Sequence, residues 1–194
     1  FSCKRQPGRN QRLHRAYSRF RGNSEPTANM QGHEPIVFEN IDPEQLMTLH
    51  REMFEYWSSK SLNGLLPSRS DIDPLDFPNV LPWILLLDVV RGGTKPRAQF
   101  RLFGTGLVER AGRDLTGLWL ESAFPDDQRR EYFFDAIDRV IEERRPIGYF
   151  GHSMMEFRHH IRICGLLLPL SKNGHEVDMI IGINLRQKID PDLV

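Results

Sequence analysis

The chain has 194 residues, 39% hydrophobic and 27% charged, and its 26 lysines and arginines balance 26 aspartates and glutamates. A chain of that length buries enough surface to stand without disulfides or structural metals, and two cysteines, Cys3 and Cys164, build neither a disulfide framework nor a four-ligand zinc site. The longest apolar run, around residues 83–87, falls far below the roughly 18 residues of a membrane helix, so neither membrane insertion nor a secretory leader is expected.

The neutral total hides an asymmetry. Residues 1–33 hold seven lysines and arginines against the single acid Glu25, a net of +6 balanced by −6 over the remainder. Apart from Leu13, Tyr17 and Phe20 this stretch has little to bury, so it reads as a disordered basic tail upstream of a start at Met30. A nucleic-acid arm and an organelle transit peptide are the competing readings. A start near Met30 would remove both, and no nucleic-acid partner is expected of the acidic body.

Residues 41–60 read as a helix, with Asp42 as N-cap, Pro43 at the first helical position and Gln45 closing a capping box. Leu46, Leu49, Met53 and Trp57 recur at helical spacing as one apolar stripe, and His50, Arg51, Glu52 and Glu55 fall elsewhere. The stripe packs either on its own sheet or on a second copy, and the second option predicts a homodimer through this helix. Pro67, Pro74, Pro78 and Pro82 make the following stretch a structured connector without regular helix or central strand. Residues 84–90 and 98–103 then read as a hairpin around Arg91-Gly92-Gly93-Thr94. A short helix at 107–112 follows the Gly104-Thr105-Gly106 turn. Pro125-Asp126-Asp127 opens a longer helix carrying Phe133, Ala136, Ile137, Val140 and Ile141 on one face, and Pro146 ends it. Residues 147–155, 157–170 and 177–185 are strand-like, the last two joined through Asn173-Gly174, a strong hairpin signal. Two strands, a helical crossover and three more strands predict an α+β domain with one antiparallel sheet.

Few constellations suggest chemistry. Asp71 and Asp73 beside Arg69 form a D-x-D pair that would suit a hard cation, but aspartates beside Pro74 more often cap turns. His159 and His160 are consecutive and would face opposite sides of a strand, so at most one could join His152 or Cys164 in a metal site. The Gly104-x-Gly106 turn lacks a third glycine and a surrounding βαβ unit, which disfavours phosphate binding; its glycines are expected to allow a sharp turn. Neither a G-x-S-x-G elbow nor an H-E-x-x-H helix occurs, and adjacent His152 and Ser153 would point apart on a strand, so no metal site and no catalytic residue is assigned.

Four strings occur in order along residues 56–186: WSSKSLNGLLPSRSDIDP, FRLFGTGLV, GRDLTGLWL and LLLPLSKNGHEVD. Together they resemble the PAS fold, and more narrowly the small, stand-alone bacterial PAS-like proteins best known from alphaproteobacteria. The resemblance implies a five-stranded antiparallel sheet with helices on one face, spanning 61–187, with the 41–60 helix before it and a short tail at 188–194. It implies a role in sensing or protein interaction. Haem-binding PAS domains typically take an axial histidine from the crossover helix, and residues 126–145 contain none; the flavin-binding kind needs a cysteine in a particular helical motif, which neither cysteine occupies. No cofactor is therefore expected.

In PAS-like folds the sheet and crossover helix enclose a pocket. Taking Asp88, Arg101, Arg162 and Asp178 as markers of outward parity, the inward set is Leu85 and Leu87, Phe100 and Leu102, Ile161 and Ile163, and Met179, Ile181 and Ile183, joined by Phe133, Ile137 and Val140. A bulge would shift these parities. A filled core and a cavity holding an unidentified small apolar metabolite are the two readings of this set. The resulting expectation is a cytoplasmic, non-enzymatic sensory module that docks on a signalling protein. The alternative is a small cone-like or hot-dog-like α+β enzyme with an acid or base in the same pocket.

Overall fold

The computed structural model of the chain describes residues 37–39, 48–124, 130–152 and 162–186. Strands β1 (Val37–Glu39), β2 (Ile84–Val90), β3 (Arg97–Phe103), β4 (Ile147–His152), β5 (Arg162–Leu170) and β6 (Met179–Arg186) form one antiparallel sheet in the order β1-β4-β5-β6-β2-β3. The five strands expected from the sequence are all present. The addition is β1, which extends the free edge of β4; three residues are too few to display an alternation. Among the described residues the α-helices are α1 (Thr48–Lys60), α2 (Thr105–Ala111), α3 (Leu120–Ala123) and α4 (Arg130–Glu143).

Pairing registers assign the two faces, because directly opposed residues share a side. Gly165 pairs with both Tyr149 and Asn184, Gly182 with Leu85, and Leu87 with Ile180 and Phe100, which together mark one face. Cys164, Leu166, Leu168 and Leu170 of β5 pair with Leu185, Ile183, Ile181 and Met179 of β6 and mark the other. Helix α4 covers the first face, where the Phe133 ring meets Tyr149 edge-on at 5.9 Å between centroids. Helices α2 and α3 continue that layer through Leu107, Leu120 and Ala123, all buried.

The preceding helix α1 covers the second face. His50, Met53 and Trp57 are buried at helical spacing, and Leu49 packs beside them. Trp57 Nε1 donates to Pro169 O at 2.8 Å, beyond the last β4–β5 pair of Ile147 with Leu167. Of the stripe that packs on either its own sheet or a second copy, Met53 and Trp57 are thus buried inside their own chain, about 2 kcal/mol or more for each. Leu46, Asp42 and Gln45 lie outside the described residues. His50, expected off the stripe, is fully buried on it.

The connector is fastened to α1. Tyr56 accepts from Asp73 N at 2.9 Å and meets Phe77 edge-on at 5.1 Å, while Ile72, Phe77 and Val80 are buried. Asp71 Oδ2 accepts from Ser68 N at 2.8 Å and Asp73 Oδ1 from Leu75 N at 2.9 Å, so both aspartates cap turns.

A bulge changes the face of β3. Leu86 pairs with Leu102 but Leu87 with Phe100, leaving Arg101 as the extra residue, and Arg101 Nη1 reaches Asp88 at 3.3 Å. Phe100 and Phe103 therefore share the α4 face. Leu102, expected to point inward, lies on the other side and is 41% exposed.

Candidate functional site

Between the first sheet face and helices α2 and α4 lies a cavity of about 40 Å³, walled by Leu85, Phe100, Phe103, Leu107, Phe124, Phe133 and Ile163, with Arg110, Asn184 and Tyr149 at its polar end. The polar end follows from two features of the sequence. Tyr149 and Asn184 stand opposite Gly165 on its two sides, two strand spacings apart, or about 10 Å. A tyrosine side chain crosses that gap only if the intervening strand offers no side chain. A Cβ on Gly165 would stand 2.0 Å from the Tyr149 ring, so the glycine is what lets the ring lie across β5.

Asn184 Nδ2 donates to Tyr149 OH at 2.5 Å, and Asn184 Oδ1 accepts from Arg110 Nη2. A guanidinium can only donate, which fixes the amide orientation. Arg110 reaches the site from α2, one turn beyond buried Leu107, with its guanidinium 5.9 Å from the Trp83 ring centroid. The Trp83 ring lies directly over Gly106, where a Cβ would meet it at 2.8 Å. Gly104 faces three carbonyl oxygens of Leu81, Pro82 and Ile84 at 2.5–2.8 Å from a built Cβ, and its φ is −60°. The two glycines thus serve close approach rather than the sharp turn expected of a Gly-x-Gly between strand and helix.

Burial lowers the Arg110 pKa from its ordinary value, opposed by Tyr149. Burial also pushes the Tyr149 hydroxyl up to about 12, partly offset by the Asn184 hydrogen bond. At neutral pH the polar end is a cation beside two neutral groups.

Of the residues expected at the pocket, Leu85, Phe100, Phe133 and Ile163 line the cavity. Leu87, Ile137 and Val140 are buried in the same core without lining it. Ile161 lies outside the described residues. Met179, Ile181 and Ile183 fall on the α1 face, opposite Leu170, Leu168 and Leu166. The parity taken from Asp178 fails because that residue precedes β6 and accepts from Lys172 N at 2.6 Å. Phe103, Arg110, Tyr149 and Asn184 were not anticipated; a lone asparagine in an apolar strand and glycines inside β5 and β6 are the signals that point to them.

Cys164 lies on the α1 side of the sheet. His50 Nε2 donates to Cys164 O at 3.1 Å, and Nδ1 stands 3.9 Å from Sγ. Burial pushes the thiol up to about 12 and the imidazole down to about 4, leaving both neutral. His159 and His160 lie outside the described residues, and among those described no group of three His, Cys, Asp or Glu side chains could hold a metal ion.

An antiparallel sheet in this order, with helices and a cavity on one face, has the architecture of a PAS-type α+β module. The chain belongs to the PAS domain family, which it matches over residues 39–185. No curated protein matches its sequence. Among solved structures it is similar to a LOV protein of Rhodobacter sphaeroides, at 13% identity over 62% of this chain and 72% of that one, with a TM-score of 0.43. It is also similar to a variant RsLOV structure, at 11% identity over 76% and 73% respectively, with a TM-score of 0.40. Among the described residues no helix is long and apolar enough to cross a membrane.

Proposed function

We propose that this PAS domain is a non-enzymatic, cytoplasmic sensory and interaction module whose cavity holds a small metabolite and whose surface is read by a signalling protein. The observation that carries the reading is the cavity itself: an apolar wall closed at one end by Arg110, Asn184 and Tyr149, the division of labour by which small-molecule sites gain affinity and orientation. The titratable groups among its described lining residues are Arg110 and Tyr149. A tyrosine at about 12 and a guanidinium are poorly matched to proton transfer near neutrality, which supports a binding role over the cone-like or hot-dog-like enzyme.

Native mass spectrometry of the purified full chain, with thermal unfolding against a metabolite library, tests this. A ligand at a hundredfold excess over its Kd adds about 2.7 kcal/mol, a rise of about 5 °C or more for a chain of this size. The expected result is a bound mass or such a shift; bare protein with no shift across the library overturns the reading. The same spectra read the oligomeric state. A homodimer would have to form away from Met53 and Trp57, which α1 buries against its own sheet.

A further inference from the structure

Five of the side chains around the cavity are aromatic, and they touch in one continuous chain. Phe103 meets Phe100 at 5.5 Å between ring centroids, Phe100 meets Phe124 at 6.4 Å, Phe124 meets Phe133 at 6.2 Å, and Phe133 meets Tyr149 at 5.9 Å, all at interplanar angles of 67–82°. Rings held edge to face by their neighbours cannot turn flat to close the gap between them, and the paired strands that carry Phe100, Phe103 and Tyr149 cannot move together to fill it. The cavity is therefore built into the packing. Its polar neighbours are turned to one another: Asn184 donates to Tyr149 OH and accepts from Arg110 Nη2, while Arg110 Nη1 is buried without reaching the cavity surface. The main chain of the lining residues Leu85, Phe100, Ile163 and Asn184 belongs to the sheet ladders. A solute in the cavity thus meets an almost wholly apolar wall. At about 40 Å³ there is room for about three waters, but each would need two or more polar partners that so apolar a wall does not supply. A charged or hydroxyl-bearing solute would likewise lose its hydration without replacement, whereas a hydrocarbon gains contact with the rings on every side. An apolar cavity of about 150 Å³ admits benzene, so this one stops short of a six-membered ring.

Resting on the reading of the cavity as a ligand site, we propose that its ligand is a neutral, apolar molecule of about three heavy atoms, selected by size and by contact with the aromatic chain. The network of Arg110, Asn184 and Tyr149 closes one end of the cavity and holds the Tyr149 ring against Phe133.

The test is an NMR titration of the full chain at pH 7 with xenon, propane and ethanol, the last a hydroxyl-bearing isostere of propane, read at the methyls of Leu85, Leu107 and Ile163. Xenon and propane should move these methyls saturably, and propane should bind at least about tenfold tighter than ethanol, whose hydroxyl finds no partner in the cavity. Phe124→Leu widens the cavity and should shift the preference from propane toward butane, with Phe133→Leu as a second variant should the first not fold. Ethanol binding as tightly as propane overturns the apolar class and leaves the ligand cavity standing. An unchanged preference between propane and butane in a folded, widened variant overturns selection by size. Probes that all leave the cavity methyls unmoved overturn both this inference and the reading of the cavity as a ligand site.

Discussion

His50 makes the docking of α1 depend on pH, and the structure gives the size of the effect. The imidazole is fully buried against Cys164, with its pKa pushed from 6.5 down to about 4 by burial, against a smaller opposing contribution from the hydrogen bond to Cys164 O. The folded state therefore favours the neutral ring. Above pH 6.5 the ring is neutral in both states and the full stability is present. As pH falls from 6.5 toward 4 the unfolded chain takes up a proton that the folded chain refuses, and stability declines with a limiting slope of about 1.4 kcal/mol per pH unit. Over the whole window the loss is about 3 kcal/mol, a substantial share of a typical domain's stability. Urea unfolding followed by tryptophan fluorescence at pH 7.5, 6.5, 5.5 and 4.5 measures it, and a His50→Gln variant, able to keep a donor to Cys164 O, supplies the reference in which carboxylate titrations cancel. The unmodified chain should lose about 2–3 kcal/mol more than the variant between pH 7.5 and 4.5. Parallel curves, or a His50 ring signal titrating near 6.5, would refute the burial argument.

Three substitutions probe the packing that positions the cavity. Gly165→Ala should cost more than about 3 kcal/mol in urea unfolding, because its Cβ meets the Tyr149 ring at 2.0 Å; in a Tyr149→Ala background the cost should fall below about 1 kcal/mol, and equal costs in the two backgrounds would contradict the crossing of β5. Gly104→Ala, facing three backbone carbonyls that cannot yield, should cost about 3 kcal/mol or more, against about 1 kcal/mol for Gly117→Ala, where φ is +82° in open space. Asp73→Ala removes a cap and should lower stability by about 1 kcal/mol equally with and without EDTA; a melting temperature that depends on divalent metal would assign Asp71 and Asp73 a ligand role instead.

Much of the architecture was legible in the sequence because its signals are local. Prolines at 67, 74, 78 and 82 marked the connector, and the Asn173-Gly174 turn, with Gly174 at φ +77°, joins β5 to β6 as its residue types require. The bulge at Arg101 was not legible, since Gln99-Phe100-Arg101-Leu102 alternates cleanly and the one departure, the apolar pair Leu102-Phe103, falls at the end of the strand. It exchanged Leu102 for Phe103 at the cavity. The polar end was missed for a different reason: Arg110, Tyr149 and Asn184 come from three separate elements, and their meeting depends on Gly165, whose meaning appears only once β4 and β6 stand on either side of it.

The misassigned strand β6 shows why parity failed there and held in β2 and β5. Alternation identifies a face only when the opposite face meets water. Helix α1 covers the face that would otherwise be solvated, so from Met179 to Leu185 every residue is buried, and apolar side chains alternate with nothing polar except Asn184. A charged residue just outside such a strand, as Asp178 is, reports its own loop and not the strand's register. In a strand buried on both sides the informative residues are the ones that apolar packing cannot explain. Gly182 leaves room for Leu85 and Leu167 to meet above it, and Asn184 must find partners or impose a desolvation cost of roughly 1–3 kcal/mol. Both lie on the α4 face, and together they locate the cavity that the apolar pattern of β6 conceals.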